Sequence, residues 1–383
     1  MNFTKLFEMI DAQKDKYVNF LKEVVEIESP TTYKEGVDAV GRYFIEKAKE
    51  KGWKTEIFHQ EVAGDVVVIT MNPDANNKPI CLSGHMDTVH PVGIFGDPCV
   101  RFERNKMIGP GVADCKGGCV SGFWAMDALS HMGYKDRPVM LLLQSDEETS
   151  SRESNKETIN YIVERSKNAV AFLNLEATIT GKATLERKGI AKFDFTVNGK
   201  STHASKCHLG ASAIREAAYK IIKLEEYKDV NGITCNCGTI KGGTVSNTVP
   251  DECVFTLDTR FKNQEQYEEI LRLIHTVAEE KTVDLTYCTV REISVRPCMP
   301  KSEKNYKLFD RINEIMKLAG LDEIEKINST GGSDAAYTTI AGIPTVDSLG
   351  PKCDKVHSIE EYIEMDKFPL AVKQIAAITA GID

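Results

Sequence analysis

An α/β core interrupted by a smaller inserted domain is the fold class that this 383-residue sequence predicts. Three observations predict it. Short apolar runs bounded by turn signals, such as Val139-Met-Leu-Leu-Leu143 and Val170-Ala-Phe-Leu173, read as buried parallel strands. Before Gly181 these runs alternate with stretches of helical periodicity, which is the α/β pattern. After Gly181 the apolar residues turn to strict alternation, as in Ala191-Lys-Phe-Asp-Phe-Thr-Val197, the mark of half-exposed strands.

In order along the chain, Phe3, Leu6, Ile10, Val18, Leu21, Val24 and Val25 fall near helical spacing and predict one amphipathic helix over 3–29, stopped by Ser29-Pro30. A second helix is expected at 34–51, ended by Gly52. Strands follow near 53–58, 65–70 and 80–82, then a helix near 117–132, a strand at 139–144, a helix near 155–166 and a strand at 170–175. The second region reads as strand 190–197, helix 211–226, strands 233–240 and 253–260, helix 264–281 and strand 285–295. That β-α-β-β-α-β order is the split unit of ferredoxin-like domains. Pro297 and Pro300 mark the return, followed by a helix at 306–319, a Gly-rich turn at Thr330-Gly-Gly-Ser-Asp334, a short strand at 343–347 and a last helix from Met365. The expected domains are 1–185, the insertion 186–296, and 297–383 completing the first.

Composition narrows the functional classes. The chain is 42% hydrophobic and 27% charged, ordinary for a globular protein. A net charge of −9 without a basic cluster argues against nucleic acid. Apolar stretches of about 20 residues, the length a membrane span needs, are missing, and Met1-Asn-Phe-Thr-Lys-Leu-Phe lacks a signal-peptide pattern. Eleven scattered cysteines read as reduced thiols in a cytoplasm.

The chemistry gathers at strand ends. Ile80-Cys-Leu82 runs into Ser83-Gly-His85-Met-Asp87, Val139–Leu143 into Glu147-Glu148, and Val170–Leu173 into Asn174-Leu-Glu176, with Gly109-Pro-Gly-Val-Ala-Asp114-Cys-Lys-Gly-Gly118 between them. In open α/β sheets the ligand crevice lies at the carboxyl ends of strands. Carboxylates converging there raise one another's pKa unless a cation compensates, and one or two metal ions are the simplest compensation. His85-x-Asp87 places two side chains on one strand face. It suits a metal-bound imidazole with a supporting carboxylate, though the spacing alone favours a core histidine beside a capping aspartate. Asp114 among glycines fits a bridging ligand or an Asx turn. The neighbours Glu147 and Glu148 must point differently, so one can bind metal while the other handles a proton; a solvated helix N-terminus is the plainer alternative. His357 offers a second imidazole or an exposed loop histidine.

As a set, Gly84-His85-Met-Asp87-Thr-Val, Gly-x-Gly-x-x-Asp114-x-Lys-Gly-Gly, Asp146-Glu147-Glu148, Glu176, Thr330-Gly-Gly-Ser-Asp-Ala335 and His357-Ser-x-Glu-Glu361 resemble the co-catalytic zinc peptidases related to aminoacylase. That group includes glutamate carboxypeptidases, acetylornithine deacetylase, succinyl-diaminopimelate desuccinylase and tripeptidase T. The resemblance covers essentially the whole chain. It implies a three-layer α/β/α zinc-peptidase domain interrupted by a ferredoxin-like lid and dimerisation domain. It implies two Zn2+ per chain, with Mn2+ or Co2+ able to fill the same ligands. His85, Asp114 and Glu176 would hold one ion and Asp114, Glu148 and His357 the other. Asp87 would orient His85, Glu147 would be the general base, and the bond after Asp114 would be cis.

In the insertion, Thr202-His203-Ala-Ser205 is similar to the family's lid histidine, while Asn247, Arg260 and the Gly332 turn resemble its substrate-carboxylate elements. The implied substrate is a small peptide or an N-acyl amino acid, and the implied assembly a homodimer through the lid. A carboxypeptidase or dipeptidase releasing a residue such as glutamate, an N-acyl-amino-acid deacylase, and a non-catalytic metal-stabilised binding protein are the three readings. Two departures, Cys207 where the family often has proline and Cys353-Asp354-Lys355 where it often has glycine, fall in loops that shape the substrate pocket.

Overall fold

The computed structural model describes residues 1–179 and 181–382. The chain forms two compact units. One comprises Met1–Leu185, Lys301–Asn328 and the residues from Tyr337 onward; the other comprises Glu186–Pro300 with Ser329–Ala336. The boundaries differ from the expected 297–383 segment at two places. The second unit runs on to Pro300, and it claims the turn at 329–336. Backbone bonding explains both: Met299 N donates to Arg187 O (3.0 Å) and Lys188 N to Ser329 O (3.0 Å), while the Arg187 guanidinium donates to Ser329 Oγ and Gly331 O.

The first unit is built on a six-stranded sheet in the order Lys54–Phe58, Val66–Met71, Val139–Gln144, Ile80–His85, Ala171–Asn174, Thr345–Val346. The strand period of two sends alternate residues to opposite faces. Val67, Ile69, Leu82, Leu141 and Leu143 pack on one side against the helices Lys14–Glu26, Lys34–Glu50, Lys116–His131 and Phe368–Gly381. Val66, Val68, Cys81, Met140 and Leu142 pack on the other against Ile159 and Ile162 of Glu157–Ser166. Both faces are covered, so the central strands read as continuous apolar runs.

Two expectations are corrected. The predicted helix over 3–29 is two helices, Phe3–Ala12 and Lys14–Glu26, broken at Gln13. Leu6, Ile10, Tyr17, Leu21, Val24 and Val25 are all buried in one core, so the apolar period runs across the break. The sheet is also not all parallel: Ile80–His85 pairs in parallel with both Val139–Gln144 and Ala171–Asn174, but Val66–Met71 joins antiparallel to Val139–Gln144 and to Lys54–Phe58. A run buried on both faces looks the same in either direction.

The second unit has a four-stranded antiparallel sheet in the order Thr234–Gly242, Glu252–Phe261, Gly189–Asn198, Tyr287–Arg296, with helices Ala213–Leu224 and Gln264–Glu279. In chain order that is β-α-β-β-α-β with the first and third strands central. Phe193, Phe195, Phe255 and Leu257 face Ala217, Ile270 and Ile274 of the helices. A buried ion pair ties the two helices together. Lys220 Nζ lies 3.0 Å from Glu216 Oε1 and caps the end of Gln264–Glu279 by donating to Val277 O and Glu280 O, both at 2.6 Å.

Candidate metal centre

Register and three turns assemble the site in the first unit. Ile80–His85 and Val139–Gln144 are aligned so that His85 stands opposite Gln144, and Leu175 N donates to Ser83 O (2.7 Å), carrying the chain to Glu176. Two glycines let Glu176 reach its place. A Cβ at Gly118 would come within 2.0 Å of Leu175 O, and one at Gly350 within 2.1 Å of the same oxygen. After Gln144 the chain enters a short 3-10 turn, Glu147–Thr149, held from behind by buried Asp146, which accepts from Thr158 Oγ1 (2.6 Å) and Ser154 N (2.9 Å).

The five expected ligands come together. His85 Nε2 lies 3.0 Å from Asp114 Oδ1 and 3.8 Å from Glu176 Oε1. His357 Nε2 lies 3.1 Å from Asp114 Oδ2 and 3.4 Å from Glu148 Oε2. Asp114 is thus shared, one oxygen toward each imidazole, and the bond to Cys115 is cis. Glu147 is buried, and its charge acts on His85, Glu148 and Glu176.

Asp87 does something other than the expected orientation of His85 alone. His85 Nδ1 is nearer the Asp87 main-chain oxygen (3.0 Å) than its carboxylate (3.3 Å). The carboxylate accepts from Glu147 N and Glu148 N, each at 3.1 Å, and from Thr31 Oγ1 at 2.7 Å. It therefore fixes the turn that aims the two glutamates.

The electrostatics call for a cation. Burial pushes the Glu148 carboxyl up to about 8, with the Asp114 charge adding to it; burial and Asp114 likewise hold Glu176 well above the carboxylate range. Burial opposes charge on Asp114 too, but hydrogen bonds from His357 and His85 outweigh it and hold its carboxyl well below the usual range. Hydrogen bonds to Asp114 and Glu148 push His357 up to about 11. Burial would lower His85, but Glu176, Asp114 and Asp87 hold it well above its ordinary value. Glu148 Oε1 is buried without a hydrogen-bond partner, and a buried unpaired carboxylate oxygen is costly unless a cation takes it. The donor set fits divalent metal: His85, Asp114 and Glu148 offer ligand atoms within 4.8 Å of one another.

The structure adds side chains that the sequence reading did not single out. Cys115 also lies within 4.8 Å of His85 and Glu176. A hydrogen bond with Cys119 and burial raise its thiol far above the ordinary value, and it donates to Leu175 O (3.3 Å). It is a thiol turned to the backbone, which leaves imidazoles and carboxylates as the donors. Lys116 is fully buried and donates to Ile27 O (2.7 Å).

The remaining candidates lie in the second unit. His203 is exposed and caps Ala204–Leu209 through Ser205 N (3.2 Å to Nδ1), and Ala204 N donates to Asn247 O (2.8 Å), so His203 and Asn247 are neighbours. Arg260 does not present an open fork: its Nε and one Nη donate to Asp258 at 2.8 and 3.2 Å. Asp258 sits two residues away on the same strand, a pairing that the Asp-Thr-Arg spacing permits. Gly332 lets the chain pass Arg296 and Ile190, whose side-chain carbons would lie 2.8 and 2.9 Å from a Cβ.

The model of peptidase family M20/M25/M40 matches residues 81–380, a stretch that contains all five clustered candidates. The chain belongs to this family. This M20 member is 28% identical to carboxypeptidase G2 of Pseudomonas sp. (strain RS-16), over 98% of this chain and 92% of that protein. It is 26% identical to succinyl-diaminopimelate desuccinylase of Nitrosospira multiformis, over 89% of this chain and 92% of that protein. Its fold is similar to the dipeptidase Dug1p of Saccharomyces cerevisiae, with a TM-score of 0.81, 13% identity and coverage of 99% and 98%. As an M20 member it is a hydrolase of the peptidase and amidohydrolase kind, and the non-catalytic reading is set aside.

Proposed function

We propose that this M20 enzyme uses two divalent cations, zinc in the first place, to cleave an amide bond next to a free carboxylate, releasing a C-terminal amino acid such as glutamate from a small peptide. One observation carries the reading: Asp114 divides its two oxygens between two imidazoles, and each imidazole has a further carboxylate beside it. His85, Asp114 and Glu176 would hold one ion, and Asp114, Glu148 and His357 the other. Bound cations supply Lewis-acid activation of a water and of the scissile carbonyl.

The chain's own groups do the rest. Glu147, set apart from Glu148 by the turn that Asp87 holds, takes the proton from the attacking water and passes it to the leaving amine. In the second unit Ser205 N donates to His203 Nδ1, which leaves the ring N–H on Nε2 as a donor for the oxyanion. Arg260, oriented by Asp258, offers the substrate carboxylate the guanidinium N–H groups outside that pair, alongside Asn247 and the Gly332 turn. The 26% identity to a desuccinylase supports a second reading, an N-acyl-amino-acid deacylase; that substrate too has an amide with a nearby carboxylate.

We also assign a homodimer through the second unit, where Thr234–Gly242 is an edge strand and Ile214, Ile222 and Ile240 are exposed apolar residues. Uncovered edges of this kind invite pairing. A cytoplasmic setting suits eleven free thiols; no helix among the described residues is long and apolar enough to cross a membrane.

The test is metal content with hydrolysis of a dipeptide panel beside N-acetyl and N-succinyl amino acids, before and after chelation. Two metals and chelator-sensitive release of C-terminal residues are expected. Glu147→Ala should keep both metals and the fold and lose turnover by about 10²–10⁴-fold; retained turnover would remove Glu147 from its role. Light scattering that finds a monomer at working concentration would remove the dimer.

A further inference from the structure

We propose that Glu361, backed by His90, is a positioning residue that sets the bridging carboxylate Asp114 and ties together three of the segments that carry the proposed metal ligands. The proposal rests on the dinuclear reading above.

Glu361 is 1% exposed and His90 6%. One carboxylate oxygen, Oε1, accepts from two successive amides, Ala113 N at 2.9 Å and Asp114 N at 3.0 Å. The other, Oε2, accepts from His90 Nε2 at 3.0 Å. Two amides converging on one oxygen fix the plane of the chain at 113–114, and so fix where the Asp114 side chain begins. That side chain has little freedom left, with one oxygen on His85 and the other on His357.

The connectivity makes Glu361 more than a local clamp. It lies four residues after His357 and ties back to that loop through its own N–H to Ser358 O (3.0 Å). The next residue, Tyr362, opens a strand paired with Lys106–Ile108, Tyr362 opposite Ile108, so the position of Glu361 is set by a sheet. His90 belongs to the loop that leaves the strand bearing His85, and it is held edge-on against Phe95 with ring centroids 4.9 Å apart. A single side chain therefore joins segments 85–90, 113–114 and 357–361, which together carry three of the five proposed ligands. Its cost is one more buried carboxylate in a site that already has buried Asp87 and Glu147 and the less buried Asp114, Glu148 and Glu176. Three N–H donors offset that cost, and metal ligands commonly depend on such outer partners.

Reach and charge can be separated. Glu361→Asp keeps the charge and withdraws the oxygens from the two amides by one methylene. Glu361→Gln keeps the reach and an oxygen for both amides while removing the charge. We expect Glu361→Asp to lower Co2+ affinity about 10–100-fold in direct titration, to change the visible spectrum of the Co2+ form, and to lower kcat with KM held. Glu361→Gln should recover most of that loss. His90→Leu, which leaves Oε2 unsupported, should fall between them.

Wild-type affinity and spectrum in Glu361→Asp would overturn the proposal, and so would Gln being worse than Asp, since charge would then matter and reach would not. A wild-type spectrum and affinity in His90→Leu would overturn the backing role. Wild-type protein is titrated first. If it binds no Co2+ or Zn2+, the dinuclear reading and this one fall together; if it binds two and the Glu361 variants match it, this one alone falls.

Discussion

Asp87 gives the most direct check on how the site is built. Its carboxylate is completely buried and accepts from Glu147 N, Glu148 N and Thr31 Oγ1. Asp87→Ala would leave Glu147 N and Glu148 N without their acceptor and Thr31 Oγ1 with only a long 3.5 Å contact to Thr88 O. A hydrogen bond to a charged group contributes about 1.5–3 kcal/mol, and leaving a buried donor unsatisfied costs a similar amount. Simple addition would give roughly 5–9 kcal/mol, an upper bound, because neighbouring losses are not additive and water can enter a polar space the size of a lost carboxylate. We expect about 3–5 kcal/mol. The assay is thermal and urea unfolding with chelator present, so that lost metal does not masquerade as lost folding energy. For a unit of this size each kcal/mol moves the midpoint about 2–4 °C, so the shift should be roughly 6–20 °C. Asp87→Asn keeps one acceptor and should lose about half as much. A destabilisation of less than about 1 kcal/mol in Asp87→Ala would refute the argument that this carboxylate holds the Glu147-Glu148 turn.

Other perturbations follow the same reasoning. In the ion-free protein Glu148 is raised to about 8 and His357 to about 11, so both hold protons more tightly folded than unfolded. Their contribution to stability is complete below the unfolded pKa and is lost as pH rises through the folded one. The chelated protein should therefore lose thermal stability between about pH 5 and 8 and again toward pH 11, while metal affinity climbs over the same range as protons are displaced; scans with and without Zn2+ across pH check both. Gly350→Ala should push the chain off Leu175 O and displace Glu176, costing about 1–3 kcal/mol and weakening metal binding in direct titration. Lys220→Met should cost the second unit about 3–5 kcal/mol by leaving the buried Glu216 carboxylate, still held by Thr282 N and Val283 N, without its cation, with its unfolding transition lowered and that of the first unit unmoved.

The part of the fold legible in the sequence is the part where composition and position agree. The run at 139–144 and the acidic pair after it could be placed because a doubly covered strand must be apolar and its end must turn. Alternation from Ala191 to Val197 gave away a one-sided sheet in the same manner. Direction was not legible for Val66–Met71, whose burial pattern is the same whichever way its neighbour runs. The break at Gln13 was hidden because both flanking helices bury the same stripe. Among the candidate site residues, Asp114, Glu148 and Glu176 carried a recognisable setting in sequence, glycines before a carboxylate or an apolar run ending in one, and His85 stood at the end of such a run; His357 had no such setting and was assigned as a ligand only by the resemblance. Glu361 stood in the quoted His357-Ser-x-Glu-Glu361 motif, but its role did not show there, and His90 stood in no motif: Glu361 serves amides at 113 and 114 and His90 serves Glu361, partners far away in sequence. Arg260 was half legible: its strand and its charge were, but an Asp two residues away on the same strand suits an ion pair and a substrate fork alike, and the ion pair forms.

The strand Thr345–Val346 completes the sheet by pairing with Ala171–Asn174, and the whole second unit is made in between. At about 5–20 residues per second on the ribosome, the interval is on the order of 10–30 s. For that time Phe172 and Leu173 sit on an open edge while a self-contained domain emerges behind them and folds. His357 arrives later still. The nascent chain should therefore pass through a period in which it lacks His357 and presents an apolar edge of the sort that holding chaperones bind. A cell short of such chaperones should lose this protein during synthesis rather than after it.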